Sequence, residues 1–199
     1  MTTAQTVADF DELRSKVRAT QHARSVPLLV IGALLVNYGV SNFAPSPLQW
    51  RYAAPLAFLL IWALGKLNEA QVGVGPGRVD YVVAAGFVFI ASNMLLLFKR
   101  FVVGGATYFF QLTGAWVVIL GIAVVGVAWS LRDRVLGLAG AAVVATGVAL
   151  FAVHPSNLYV PGQSFIGFQR TWQMTLVVVV GAVLGLTGLL LYRRERVQE

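Results

Sequence analysis

Two histidines, eight carboxylates and no cysteine make up the side chains from which acid–base, metal or thiol chemistry would have to be assembled. Zinc-type sites need three or four such groups converging on one point. His22 lies in the N-terminal segment and His154 at the end of a long apolar run, with no carboxylate on its side of the membrane to complete a site. Ser92 and His154 raise the possibility of a serine–histidine dyad, but no Gly-x-Ser-x signature surrounds Ser92 and the two residues fall at different depths. The stretch Gly73-Val-Gly-Pro-Gly-Arg78 resembles a phosphate cradle only superficially: it lacks the Gly-Lys-Ser/Thr ending and follows no strand, so it reads as a turn. Enzymatic activity is therefore not expected, and neither a metal nor a cofactor is called for.

The remaining polar side chains of interest are amides and hydroxyls. Asn37, Ser92, Asn93 and Thr146 sit at nearly the same position within the first, third and fifth apolar runs, which enter the membrane from one side. Equal depth makes them a candidate polar layer in the outer half of the bilayer. Such groups in hydrocarbon seek one another, at about 0.5–2 kcal/mol per bond. The layer then serves as glue between helices, or as a ligand-binding site for a neutral or amphiphilic molecule, with Tyr38 beside it.

The elements that carry these residues are six apolar runs: Val26–Phe43, Tyr52–Leu67, Tyr81–Phe98, Gly114–Leu131, Val135–Val153 and Met174–Tyr192. All but the second, which has 16 residues, are 18 or 19 residues long and reach roughly 27–28 Å at about 1.5 Å per residue, close to a hydrocarbon core of about 30 Å. A chain that is 58% hydrophobic and 12% charged lies outside the range of ordinary soluble domains. The second run is the weakest, with Pro55 in its first turn and Lys66 near its end, and it spans only if Lys66 snorkels to the interface. With the N-terminus inside, 11 of the 15 Lys and Arg residues are cytoplasmic, as are all eight acids. That distribution places both termini in the cytoplasm of a plasma-membrane protein. No soluble domain carries a basic face for nucleic acid.

Residues 1–25 carry Val7, Phe10, Leu13 and Val17 at helical spacing, with Asp9, Asp11 and Glu12 early and Lys16, Arg18 and Arg24 late. They are expected to form an amphipathic helix lying on the inner leaflet or docking a cytoplasmic partner. No cleavage site follows the first run, so helix 1 is expected to stay attached as an anchor.

An internal repeat adds to this frame. Shifting the chain by 108 residues lays Gly32–Ala44 on Gly140–Ala152 with seven of thirteen positions identical, including Gly32/Gly140 and Gly39/Gly147. Glycines seven apart return to one helix face, where a neighbour can approach closely. Gly181 and Gly185 give the sixth run a similar stripe, with Gly188 a turn further on. A helical hairpin used three times is the simplest repeating unit.

The Gly-Ala-x-x-Val-x-x-Gly-Val segment, followed by Phe and Pro, resembles the hairpins of HdeD-type six-helix bacterial membrane proteins. Leu13–Thr20, Pro27–Leu34 and Trp50-Arg-Tyr52, with twelve Arg against three Lys, look like small membrane proteins of high-GC bacteria. These resemblances imply a six-helix plasma-membrane protein and transfer no catalytic residue.

Aromatic residues Phe43, Trp50, Tyr52, Tyr159, Phe165, Phe168 and Trp172 make an outer interfacial girdle. Gly104-Gly105, within Phe101–Leu112, suits a re-entrant or interfacial segment. The expectation is an all-α polytopic membrane bundle of six transmembrane helices: residues 1–25 as the cytoplasmic helix, 26–192 as the transmembrane domain and 193–199 as a cytoplasmic basic tail. Its partners are the lipid bilayer, a membrane or cytoplasmic protein and further copies of itself. Its role is that of a small accessory or partner-binding subunit, the alternative being uncoupled transport or binding of an amphiphile through the polar layer.

Overall fold

A computed structural model describes residues 25–40, 47–72, 79–102, 107–152 and 165–197. The docking residues Val7, Phe10, Leu13 and Val17, both histidines and the Gly73–Arg78 turn lie outside them. The described residues form six helices: α1 (Ser25–Val40), α2 (Pro47–Val72), α3 (Val79–Val102), α4 (Thr107–Leu131), α5 (Arg134–Ala152) and α6 (Phe165–Val197).

Each apolar run lies within or largely overlaps one helix, and several helices extend beyond their runs. Polar and aromatic residues at an interface still satisfy their backbone groups by continuing the helix. α2 starts at Pro47, so Pro55 is interior to the helix rather than in its first turn. Its ring removes one donor from the ladder, and it lies buried beside Ala54. α6 runs on through Arg193 and Arg194 to Val197, so the expected basic tail is largely the last turns of a helix. Phe101 and Val102 close α3, and Thr107–Leu112 open α4, leaving only 103–106 of that stretch undescribed.

Three helices are long and apolar enough to cross a membrane, over Asp80–Leu97, Gly114–Leu131 and Trp172–Arg194. The apolar parts of the others are shorter: Ser25–Val40, Tyr52–Leu67 and Arg134–Leu150. The core takes side chains from every helix, including Leu28 and Leu35, Phe58, Val88, Val117 and Leu120, Val143 and Val177. Much apolar surface also faces outward: Ile90, Leu138, Val183, Leu186 and Leu190 are exposed, and Trp129 is 86% exposed. A water-soluble monomer rarely displays so much contiguous apolar area. On α2, Lys66 holds its ammonium 4.9 Å from the centre of the Trp62 ring, a cation–π contact.

The α4–α5 connection shows how tightly local chemistry fixes one helix pair. α4 ends with Asp133 N–H donating to Ala128 O at 2.9 Å and Arg132 N–H to Trp129 O at 3.2 Å, with Arg132 in the left-handed region at φ 53°. This is the Schellman ending, here without the glycine that usually occupies the position. Asp133 then caps α5, its Oδ1 accepting from Val135 N–H at 2.9 Å and Leu136 N–H at 3.2 Å. Two residues thus reverse the chain.

Candidate functional site

The residues expected to form a polar layer are not joined as one hydrogen-bonded cluster: the side-chain bonds of Thr146 and Asn93 stay within their own helices. Thr146 is buried, and its hydroxyl donates to Ala142 O of its own helix at 2.8 Å. Asn93 is half-buried and donates from Nδ2 to Phe89 O, again one turn back, at 2.7 Å. Asn37 is exposed and Tyr38 half-buried, each with an interaction partner. Ser92 is fully buried, and among the described residues its Oγ has no hydrogen-bond partner. Among the described residues α3 and α5 each pack on α4 rather than extensively on each other. Equal depth therefore does not bring Ser92 and Thr146 onto a shared face.

The glycines are brought together much more closely. A Cβ placed on Gly32 would lie 2.5 Å from Gly185 N and 2.8 Å from Gly181 O, so α1 and α6 touch backbone to backbone. Gly39 meets Val178 and the carbonyl of Met174, while Gly188 meets Leu29 N at 2.9 Å. The order of these contacts makes the pair antiparallel. Real Cβ atoms do not approach backbone this closely, so only glycine permits the contact.

α5 repeats the arrangement against α4. Gly147 meets Val118 N at 2.7 Å and Gly114 O at 2.8 Å, and Gly140 meets Val125 N at 2.9 Å. From the other side, Gly121 meets Val144 N at 2.7 Å and Gly140 O at 3.0 Å, as Gly181 meets Val36 N at 2.8 Å and Gly32 O at 2.9 Å. The correspondence extends atom by atom: Gly39 over Val178 and Met174 matches Gly147 over Val118 and Gly114. The repeat seen between α1 and α5 thus extends to a second pair of equivalent helices, α6 and α4. Both members of each pair carry glycines seven residues apart: Gly32 and Gly39 with Gly181 and Gly188, and Gly140 and Gly147 with Gly114 and Gly121. A seven-residue spacing keeps one seam in contact along an antiparallel pair.

Gly114 and Gly121 escaped sequence reasoning, although their spacing was a usable signal. Buried Gln173 on α6 was also missed, and nothing in the sequence distinguishes it from an interfacial glutamine. Among the described residues no three His, Cys, Asp or Glu side chains are grouped as a metal site would need.

No protein-family model matches the chain, and no solved structure does. It is similar to uncharacterized proteins of Mycobacterium tuberculosis (Rv1337 in strain H37Rv and MT1378 in strain CDC 1551) and of Mycobacterium bovis (Mb1372). Each is 32% identical over 105 residues, which is 51% of this chain. The chain spans 35% of the length of these curated relatives. They support a bacterial origin, while the likeness to HdeD-type proteins finds no support among them.

Proposed function

We propose that the protein is a six-span, non-enzymatic membrane protein that serves as a small accessory or partner-binding subunit, with both termini in the cytoplasm. The six-span reading is supported by the way short helices accompany long ones. α1 is held against α6, and α5 against α4, by backbone-level contacts over successive turns, while α2 packs on α3. A short helix joined this closely to a long span crosses the bilayer with it. A modest shortfall in apolar length is accommodated by tilt, by local thinning or by side chains such as Lys66 reaching the interface.

The partner-binding reading rests on Asn37. At the equivalent place on α5 stands exposed Ala145, whereas α1 displays an amide outward from the bundle. Asn37 already has an interaction partner within the chain, and its exposure marks a polar spot on the outer surface of α1 where a neighbouring membrane helix can add a further hydrogen bond. The test is mild extraction of the native protein followed by mass spectrometry of whatever travels with it. A stoichiometric membrane partner is expected, depleted by Asn37→Ala. Retention of a lipid or small molecule with no protein partner would contradict this reading.

Ser92 favours a second reading, in which the bundle binds a neutral or amphiphilic molecule. A buried hydroxyl without a partner costs about 1–3 kcal/mol, so Ser92→Ala should leave the protein as stable or more stable. A bound molecule lost on that same substitution would turn the unpaired hydroxyl into a binding residue.

A further inference from the structure

α3 and α4 pack less closely than the glycine-seamed pairs, and a slot of about 320 Å³ opens between them. Its floor is made of small buried residues, Ala84 and Ala123, and its walls include exposed Phe87 and Ile122. Gly126 keeps it open: a Cβ there would meet nothing within 4 Å, so the gap is empty space rather than a helix contact. One ionisable residue lines the slot, Asp80 in the first turn of α3. From Asp80 to Phe87 the slot runs about 10 Å along the helix, into a leaflet of about 15 Å.

A second groove, of about 630 Å³, lies on the other side of α4. It shares Ile122, is lined by Val125, Ala141, Val144 and Ala145 among others, and contains no ionisable residue. Both grooves offer apolar surface to an alkyl chain. Only the α3/α4 slot adds a carboxylate at its end, where the surroundings change from hydrocarbon to water and an ion pair is stronger than in bulk solvent.

We propose that the α3/α4 slot binds an amphiphile with a cationic amine head and a single alkyl chain, the chain lying over Ala84, Ala123 and Gly126 and the head pairing with Asp80. Arg132 and Arg134, in and just after the α4–α5 turn, do not line the slot and leave Asp80 as its local charge. The proposal rests on the membrane placement given above and is independent of the partner-binding reading.

The experiment uses the full chain in phosphatidylcholine nanodiscs and a dodecylamine bearing a photoactivatable diazirine near its tail, with labelled residues read by mass spectrometry. Labelling is expected to concentrate on 83–87 and 122–127. Unlabelled dodecylamine should compete and dodecyl sulfate should not. Asp80→Asn should weaken saturation about five- to tenfold without changing the packing. Gly126→Leu, projecting into open space, should abolish labelling in the slot while sparing the groove on the α4/α5 side. Equal competition by dodecyl sulfate, wild-type saturation in Asp80→Asn, or labelling spread evenly over all six helices would overturn the proposal. Each of these results would leave the membrane placement intact, since that placement is read from the sidedness of the loops instead.

Discussion

The α4/α5 pair and the α1/α6 pair make the same contact by opposite routes. α4 and α5 are consecutive and joined by two residues, Arg132 and Asp133, whereas α1 and α6 come from the two ends of the described chain. Nevertheless the same atoms meet: Gly140 O at Gly121 and Gly32 O at Gly181, Val118 at Gly147 and Val178 at Gly39. The geometry is therefore set by glycine spacing and not by the turn. Between helices in lipid there is little hydrophobic drive to associate, so close packing has to supply the attraction. The pairs differ at two places. In the seams α6 has Gly185, whose backbone meets Gly32, where α4 has Val125, whose side chain meets Gly140, and on the outer surface α1 has exposed Asn37 where α5 has exposed Ala145.

Adding a methyl group at equivalent seam positions is the strongest way to break this comparison. Gly32→Ala and Gly140→Ala should each destabilise by about 1–3 kcal/mol, measured by thermal melting in detergent. Gly32→Ala should cost more, because its nearest neighbours are backbone atoms of Gly181 and Gly185, whereas the closest atom to Gly140 belongs to the Val125 side chain. Equal melting points for both variants and the parent would show that the seams do not hold the bundle. Asp133→Ala removes the cap of α5 and should cost about 1 kcal/mol. Its effect should fall on α4 and α5, with faster amide exchange near Val135 and Leu136 and none near the α1/α6 seam. The smallest change has the opposite sign. A Cβ on Gly185 itself would meet nothing within 4 Å, so Gly185→Ala should stabilise by about 0.5–1 kcal/mol through helix propensity. A loss of stability there would mean that Gly185 packs against something outside this chain.

Much of the frame was legible because apolar length and glycine spacing are one-dimensional signals. The six runs fall on the six helices, and Gly32, Gly39, Gly140, Gly147 and Gly181 lie in seams. The pairing of those seams was less accessible. Seven identities in thirteen reveal α1 and α5 as a repeat, but α4 and α6 share mainly Val117/Val177, Val118/Val178 and Gly121/Gly181 over their equivalent turns. That is too little to stand out among Val- and Gly-rich helices. The hairpin unit expected from the repeat joins α1 to α2 and α5 to α6, whereas the equivalent seams join α1 to α6 and α5 to α4. The polar layer shows a second limit. Sequence position gives a residue's depth in the bilayer but not the rotation of its helix, and rotation decides that Thr146 is buried while Asn37 faces outward. The α3/α4 slot was illegible for a related reason, since helix rotation decides that Gly126 lies beside a gap between two helices.

Sidedness of the segment between α5 and α6 separates six spans from three. The chain has no cysteine, so Ser156→Cys and Gln198→Cys each introduce one thiol, to be probed in intact cells with a membrane-impermeant maleimide before and after permeabilisation. If all six helices cross, Ser156→Cys is labelled in intact cells and Gln198→Cys only after permeabilisation. If α3, α4 and α6 alone cross from a cytoplasmic N-terminus, the pattern is reversed. That reversal would contradict the proposal that α1 and α5 are carried through the bilayer by their glycine seams.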